Sequence, residues 1–193
     1  MITSKKEYYD YLDKDYISSG FSGASRSILA PIKSLIFGQE EKKFIYALRT
    51  LEYCANVLKH RGVIGKVRWL FAKYRFHKLS VRLGYSIPIN VFGPGLSLPH
   101  RGNIIINPNV RVGENCRIHV GVNIGAHNGK APLIGNNVYI GPGAILFGDI
   151  EIADNISIGA NATVNKSFLD SNVAIAGTPA KIVKTNTVSW NGK

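Results

Sequence analysis

Apolar residues recur at every sixth position through the second half of this chain. From Ile134 the series runs Ile134, Ile140, Leu146, Ile152, Ile158 and Val164, and glycine follows three of these steps, at Gly135, Gly141 and Gly159. A second apolar series lies four residues further on, at Val138, Ala144, Ile150, Ile156 and Ala162. The same register runs upstream through Ile106, Val112, Ile118 and Ile124, seconded by Val110, Cys116 and Val122. A helix repeats at about 3.6 residues and a lone half-buried strand at about 2. A period of six belongs instead to a parallel β-helix, in which three short strands close one triangular coil. At about eighteen residues per coil, the stretch from Tyr85 to Ile175 makes about five coils.

Two departures break the register. Leu98 to Ile106 spans eight residues rather than six, so two residues bulge out around Pro99-His100-Arg101-Gly102. Ile124 to Ile134 spans ten, an excursion of four around Ala126–Pro132. In a solenoid this regular, such places are where side chains are aimed at something.

Residues 1–83 lack the rhythm and read as a basic α-helical region. Thr3-Ser4 caps a first helix to about Tyr16, and a Ser/Gly-rich break follows at Ser18–Ser22. Phe44, Leu48, Leu51, Ala55 and Leu58 have helical spacing, and Gly62 is expected to end that helix. A basic, aromatic-rich helix then runs from Val63 to Leu83, closed by Gly84. The β-helix is expected over 84–185 and a loose polar tail over 186–193. The net charge of +12 is concentrated at the front, because residues 1–84 carry 16 Lys/Arg against 7 Asp/Glu. An anionic ligand, a membrane surface or a solvated face fits that charge better than nucleic acid, which is not expected as a partner. No apolar run is long enough to span a bilayer, and Met1 to Asp10 lack the apolar h-region of a secretory signal, so none is expected. Cys54 and Cys116 fall in different segments, with Cys116 in an inward slot, as in a reduced, cytoplasmic protein.

His100 is the first candidate for chemistry, since it sits in the bulge rather than at a repeat slot, and imidazole titrates near neutrality. His119 follows an inward isoleucine, and His127 lies in the second excursion. Eight residues separate those two, and no cysteine or carboxylate cluster completes a site, so no metal is expected. Gly141-Pro-Gly-Ala144 and Gly159-Ala-Asn-Ala162 leave room for a ligand to approach the main chain. Walker, dinucleotide and Gly-x-Ser-x-Gly motifs are absent.

The strings Gly93-Pro-Gly-Leu-Ser-Leu-Pro-His100, Ile118-His-Val-Gly-Val-Asn-Ile-Gly125, Ile134-Gly-Asn-Asn-Val-Tyr-Ile-Gly-Pro-Gly-Ala144 and Ala176-Gly-Thr-Pro-Ala-Lys-Ile182 resemble the hexapeptide-repeat acyltransferases, specifically their serine-acetyltransferase-like branch. The resemblance covers about residues 84–183. It implies that the β-helix is left-handed and that the chain forms a homotrimer with active sites between subunits. It also implies a general base at His100 and acetyl-CoA as donor. The coenzyme would lie along Asn123, Gly125, Ala126, Gly143, Ala144, Ala160 and Ala162, with Thr178, Lys181 and Lys184 toward its far end. Tyr85, Arg101, Asn103, His119 and His127 would face the acceptor.

The chain also departs from that branch. Members carry aspartate fifteen residues before the histidine, where Tyr85 stands here, and directly before it, where Pro99 stands. Their acceptor-holding Arg-His pair aligns with Lys130-Ala131. These departures set the pattern nearest to capsular or exopolysaccharide O-acetyltransferases. The expectation is therefore direct acetyl transfer to a carbohydrate hydroxyl, with serine or another small hydroxyl compound as the alternative acceptor and a non-catalytic trimeric scaffold as the remote one. The setting is cytoplasmic, at the inner membrane face if the basic helices touch lipid.

Overall fold

The computed structural model describes residues 1–20 and 40–190. Helix α1 (Lys5–Ser18) starts on Ser4, whose hydroxyl accepts the Glu7 N–H at 3.1 Å. The Glu7 carboxylate in turn takes the N–H and hydroxyl of Thr3 at 2.6 and 2.7 Å. These bonds satisfy donors that a helix start leaves free. They also hold the Glu7 carboxyl below its usual range, the Thr3 hydroxyl contributing most. The part of the expected Ser/Gly break beyond Gly20 lies outside the described residues.

Helix α2 (Glu40–Tyr53) runs into a π-helical turn, Cys54–Leu58, closed by the Lys59 N–H on the Cys54 carbonyl at 2.8 Å. Helix α3 (Gly62–Leu83) begins at Gly62, which therefore opens a helix rather than only ending one. A β-carbon on Gly65 would lie 1.9 Å from the Leu58 carbonyl oxygen, so glycine is what lets α3 turn back so closely on the π segment. Gly84 closes α3 in the left-handed conformation, returning its N–H to Ser80.

From Tyr85 the chain winds as a left-handed parallel β-helix of about five coils with three faces. Face one stacks β1 (Tyr85–Ser86), β2 (Ile104–Ile106), β5 (Asn123–Gly125), β8 (Ile145–Phe147) and β11 (Thr163–Val164). Face two stacks β3 (Arg111–Val112), β6 (Leu133–Ile134) and β9 (Glu151–Ile152), lengthened by bridges from Phe92 to Val112 and from Ile152 to Phe168. Face three stacks β4 (Arg117–Ile118), β7 (Tyr139–Ile140), β10 (Ser157–Ile158) and β12 (Ala174–Ala176). The last strand, β13 (Lys181–Lys184), pairs antiparallel with β12 and closes that face.

The period of six is the distance from one face to the next, so each sixth residue points inward. Ile106, Ile124, Leu146 and Val164 form one interior column, and Ile118, Ile140, Ile158 and Ile175 another. Each such buried aliphatic side chain contributes about 1.5–3 kcal/mol, an upper figure because unfolded chains already bury some surface. The corner between faces two and three places Asn115, Asn137, Asn155 and Asn172 at φ between 55° and 61°. Asparagine tolerates this left-handed conformation. Its amide then hydrogen-bonds down the stack, Asn115 to Asn137 and Asn137 to Asn155, each at 3.0 Å.

The helices are joined to the first coil through Arg49, which has no exposed surface. Its five N–H donors reach Asp15 twice, Glu52, and the carbonyls of Phe92 and Gly93, at 2.7–3.3 Å. Asp15 also accepts the N–H groups of Gly95 and Leu96, and Glu52 accepts that of Asn90. Burial opposes the guanidinium charge, but Asp15 and Glu52 outweigh it and raise its pKa. The expected loose tail folds back in part, with the Thr187 N–H on the Asn172 carbonyl and the Trp190 indole N–H on the Asn115 carbonyl at 2.9 Å.

Candidate active site

The two-residue bulge lies at the corner between faces three and one. Ser97 to Ile105 takes eight residues, whereas Arg117 to Asn123, the same step one coil on, takes six. The loop is held along its main chain. The Gly102 N–H donates to the Leu83 carbonyl at 3.1 Å, and the Asn103 carbonyl accepts the Gly121 N–H at 2.6 Å. Beneath it, the buried Tyr85 hydroxyl donates to the His100 carbonyl at 2.8 Å. Gly102 sits at φ +140°, where a β-carbon would lie 2.3 Å from a Val120 methyl carbon. With the main chain fixed on both sides, the side chains of His100 and Arg101 project outward and are exposed.

Directly below the bulge, the rings of His100 and His119 stand 5.9 Å apart, and His119 and Tyr139 5.1 Å. One imidazole from the bulge, one from the second coil and one phenol from the third therefore form a ladder down the corner. The His119 Nε2 is buried with no hydrogen-bond partner. Burial first, then the charges of Arg117 and His100, lower the His119 pKa from its ordinary value, leaving the ring neutral at pH 7. The corner continues through Gly141–Ala144 and Gly159–Ala162 to Thr178, whose hydroxyl lies 3.3 Å from the Asn161 carbonyl.

Sequence-predicted residues separate by position. His100, Arg101, Asn103 and His119 share this corner with Gly143, Ala160 and Thr178. Tyr85, expected to face the acceptor, is buried edge-on against Phe44 and holds the loop's main chain instead. The Asn103 amide oxygen is tucked under Gly84, where a β-carbon would meet it at 2.7 Å. Ala144 and Ala162 have no exposed surface, so they belong to the interior rather than to the surface of the corner. The missing side chain of Gly143 serves coil stacking, since a β-carbon there would lie 2.2 Å from the Asn161 Oδ1. Lys181 and Lys184 are exposed on β13.

Asn123, Gly125 and Ala126 run across face one to its other edge. There His127 starts a hairpin, paired with Lys130 through both main-chain bonds and turned by Asn128 and Gly129 at φ 50° and 77°. The ten-residue step from Asn123 to Leu133 holds this hairpin, and Lys130 is ion-paired with Asp149 at its base. Within one chain, His127 and His100 thus occupy opposite edges of face one. Among the described residues no three His, Cys, Asp or Glu side chains cluster to hold a metal. Tyr139 was not foreseen; it pairs in register with Arg117, so its ring reaches His119 diagonally, a contact that coil-to-coil alignment of the sequence does not reveal.

Residues 131–166 match the model of the bacterial transferase hexapeptide family (six repeats). The chain is 37% identical over 100 residues to a serine acetyltransferase of Staphylococcus aureus, a match covering 50% of this chain and 46% of that protein. It is 33% identical over 95 residues to a serine acetyltransferase of Synechococcus elongatus, covering 47% and 38%. The chain thus spans less than half the length of these relatives. The crystal structure of serine acetyltransferase from Brucella abortus in complex with coenzyme A superimposes with a TM-score of 0.68 over 93% of this chain and 69% of that one, at 22% identity. In its β-helical part the chain is thus similar to the bacterial hexapeptide transferases and to serine acetyltransferases.

Proposed function

We propose that the protein is an acetyl-CoA-dependent O-acetyltransferase that works as a homotrimer, with serine or a comparable small hydroxyl compound as acceptor. The observation that carries this is the anchored loop, which holds an exposed imidazole at a corner lined by small residues, in a domain whose relatives are named serine acetyltransferases. His100 removes the acceptor's hydroxyl proton as the oxygen attacks the thioester carbonyl. The tetrahedral intermediate collapses with loss of the coenzyme thiolate, which takes the proton back from the imidazolium. Main-chain N–H groups at Gly125 or Ala126 stabilise the oxyanion. Because those residues lie across face one from His100, the assignment requires a neighbouring subunit to bring that edge beside the bulge. His127 and its hairpin would arrive with it, which is the support for a trimer with shared sites. Lys181 and Lys184 offer cations to the coenzyme's phosphates. An acetyl-CoA donor and two buried free cysteines fit a cytoplasmic setting.

The carbohydrate acceptor has narrower support. Lys130, where the branch carries an acceptor-holding arginine, is engaged by Asp149, and Ala131 follows it. The relatives' names favour serine over that reading. A coenzyme-release assay with serine, sugars and nucleotide sugars decides between them. Turnover on serine upholds the first acceptor and turnover on sugars alone the second. Replacement of His100 by alanine is expected to lower kcat by about 10²–10⁴ on either acceptor, and near-normal turnover would end the general-base reading.

A further inference from the structure

Helix α3 carries two apolar stripes on opposite sides. Gly65, Trp69, Ala72, Phe76, Leu79 and Leu83, spaced alternately four and three, are the side that packs on α2 and the first coil. Val63, Val67, Leu70, Tyr74 and Val81 repeat the same spacing two residues out of step, which at about 100° per residue is the far side of the helix. These five are 59–77% exposed, and Ile64 and Phe71 beside them 77% and 67%. A helix facing water on one side ordinarily shows a single apolar stripe. Exposed apolar surface concentrated in this way marks a contact.

The borders of the second stripe are cationic. Lys66 and Lys73 run along one side, and Arg68, Arg75 and Lys78 along the other. No Asp or Glu occurs between Glu52 and Glu114, so the helix has no acid of its own to pair them. A second copy of α3 laid against the stripe would bring cationic border against cationic border. An anionic lipid surface satisfies both features, taking the apolar stripe into the headgroup–acyl boundary and the lysines and arginines among the phosphates. Among the described residues no helix is long and apolar enough to cross a membrane.

We propose that the outer stripe of α3 docks the protein flat on an anionic bilayer surface. The test is sedimentation of the purified full-length chain with phosphatidylcholine vesicles, with and without one third phosphatidylglycerol. Binding is expected to the anionic vesicles and to be at least about tenfold weaker on neutral ones. Two variants, Val67→Ser/Leu70→Ser/Phe71→Ser and Lys66→Gln/Lys73→Gln, should each lose about tenfold in vesicle affinity, with solution mass and melting temperature unchanged without lipid. Failure to bind anionic vesicles, or equal binding by both variants, would overturn the proposal. A smaller solution mass for the serine variant without lipid would assign the stripe to a second copy. A lower melting temperature would assign it to contacts within the chain, and either result would overturn membrane docking too.

Discussion

The Tyr85 hydroxyl donates to the main-chain carbonyl of His100 across 2.8 Å, from a position fifteen residues earlier and one coil edge away. The phenol sits in the interior, where burial raises its pKa and keeps the proton it donates. The bond therefore sets the height of the bulge without touching the imidazole. Tyr85→Phe removes the donor and strands a carbonyl, at a cost of about 1–3 kcal/mol. Chemical denaturation should show that loss. Kinetics should show a lower kcat with little change in KM for acetyl-CoA, because the displaced group is the base and not the coenzyme surface.

Arg49 is the residue whose loss should damage the fold most. Arg49→Met would leave Asp15 and Glu52 buried without their cation, which costs about 3–5 kcal/mol. Denaturant unfolding should record a shift of that size. Because Asp15 and Arg49 also hold the segment Phe92–Leu96 that leads to the bulge, turnover should fall with stability.

The neutral His119 ring makes stability depend on acid. Its folded pKa lies below the ordinary value, so between the two values the unfolded chain binds more protons than the folded one. That difference destabilises the fold as pH drops below about 6.5, the unfolded value, and stops growing once the folded pKa is passed. Melting temperatures measured from pH 8 to pH 5 should decline more steeply for the native chain than for His119→Gln.

Both cysteines should be silent toward thiol reagents in the folded protein. Burial pushes the Cys116 thiol up to about 12, and it raises that of Cys54 as well. A thiolate-trapping reagent at pH 8 should label neither until denaturant unfolds the chain, and then both.

Exposed His100 contributes little to the fold, so His100→Ala should keep the native melting temperature while losing turnover. That combination separates a chemical role from a structural one.

The hexad rhythm, the eight-residue step at His100 and the ten-residue step at His127 were legible in the sequence because a solenoid is nearly one-dimensional: each residue's neighbours lie one coil away at a constant offset. The asparagines at 115, 137, 155 and 172 were not picked out from the sequence, because they are unevenly spaced along it, and only their stacking reveals the amide ladder. Interior columns, coil number and corner positions all follow from that offset.

What lay beyond the sequence depends on contacts with no constant offset. Nothing local in Arg49 says that it meets Asp15 and the carbonyls of Phe92 and Gly93, since the docking of α1 and α2 on the first coil decides that. Nor does position alone say that Tyr85 grips the loop from below. Periodicity specifies which way a side chain faces within its coil. Which partner it finds is decided only when separate elements pack, because burial then forces each polar group to find a bond within reach.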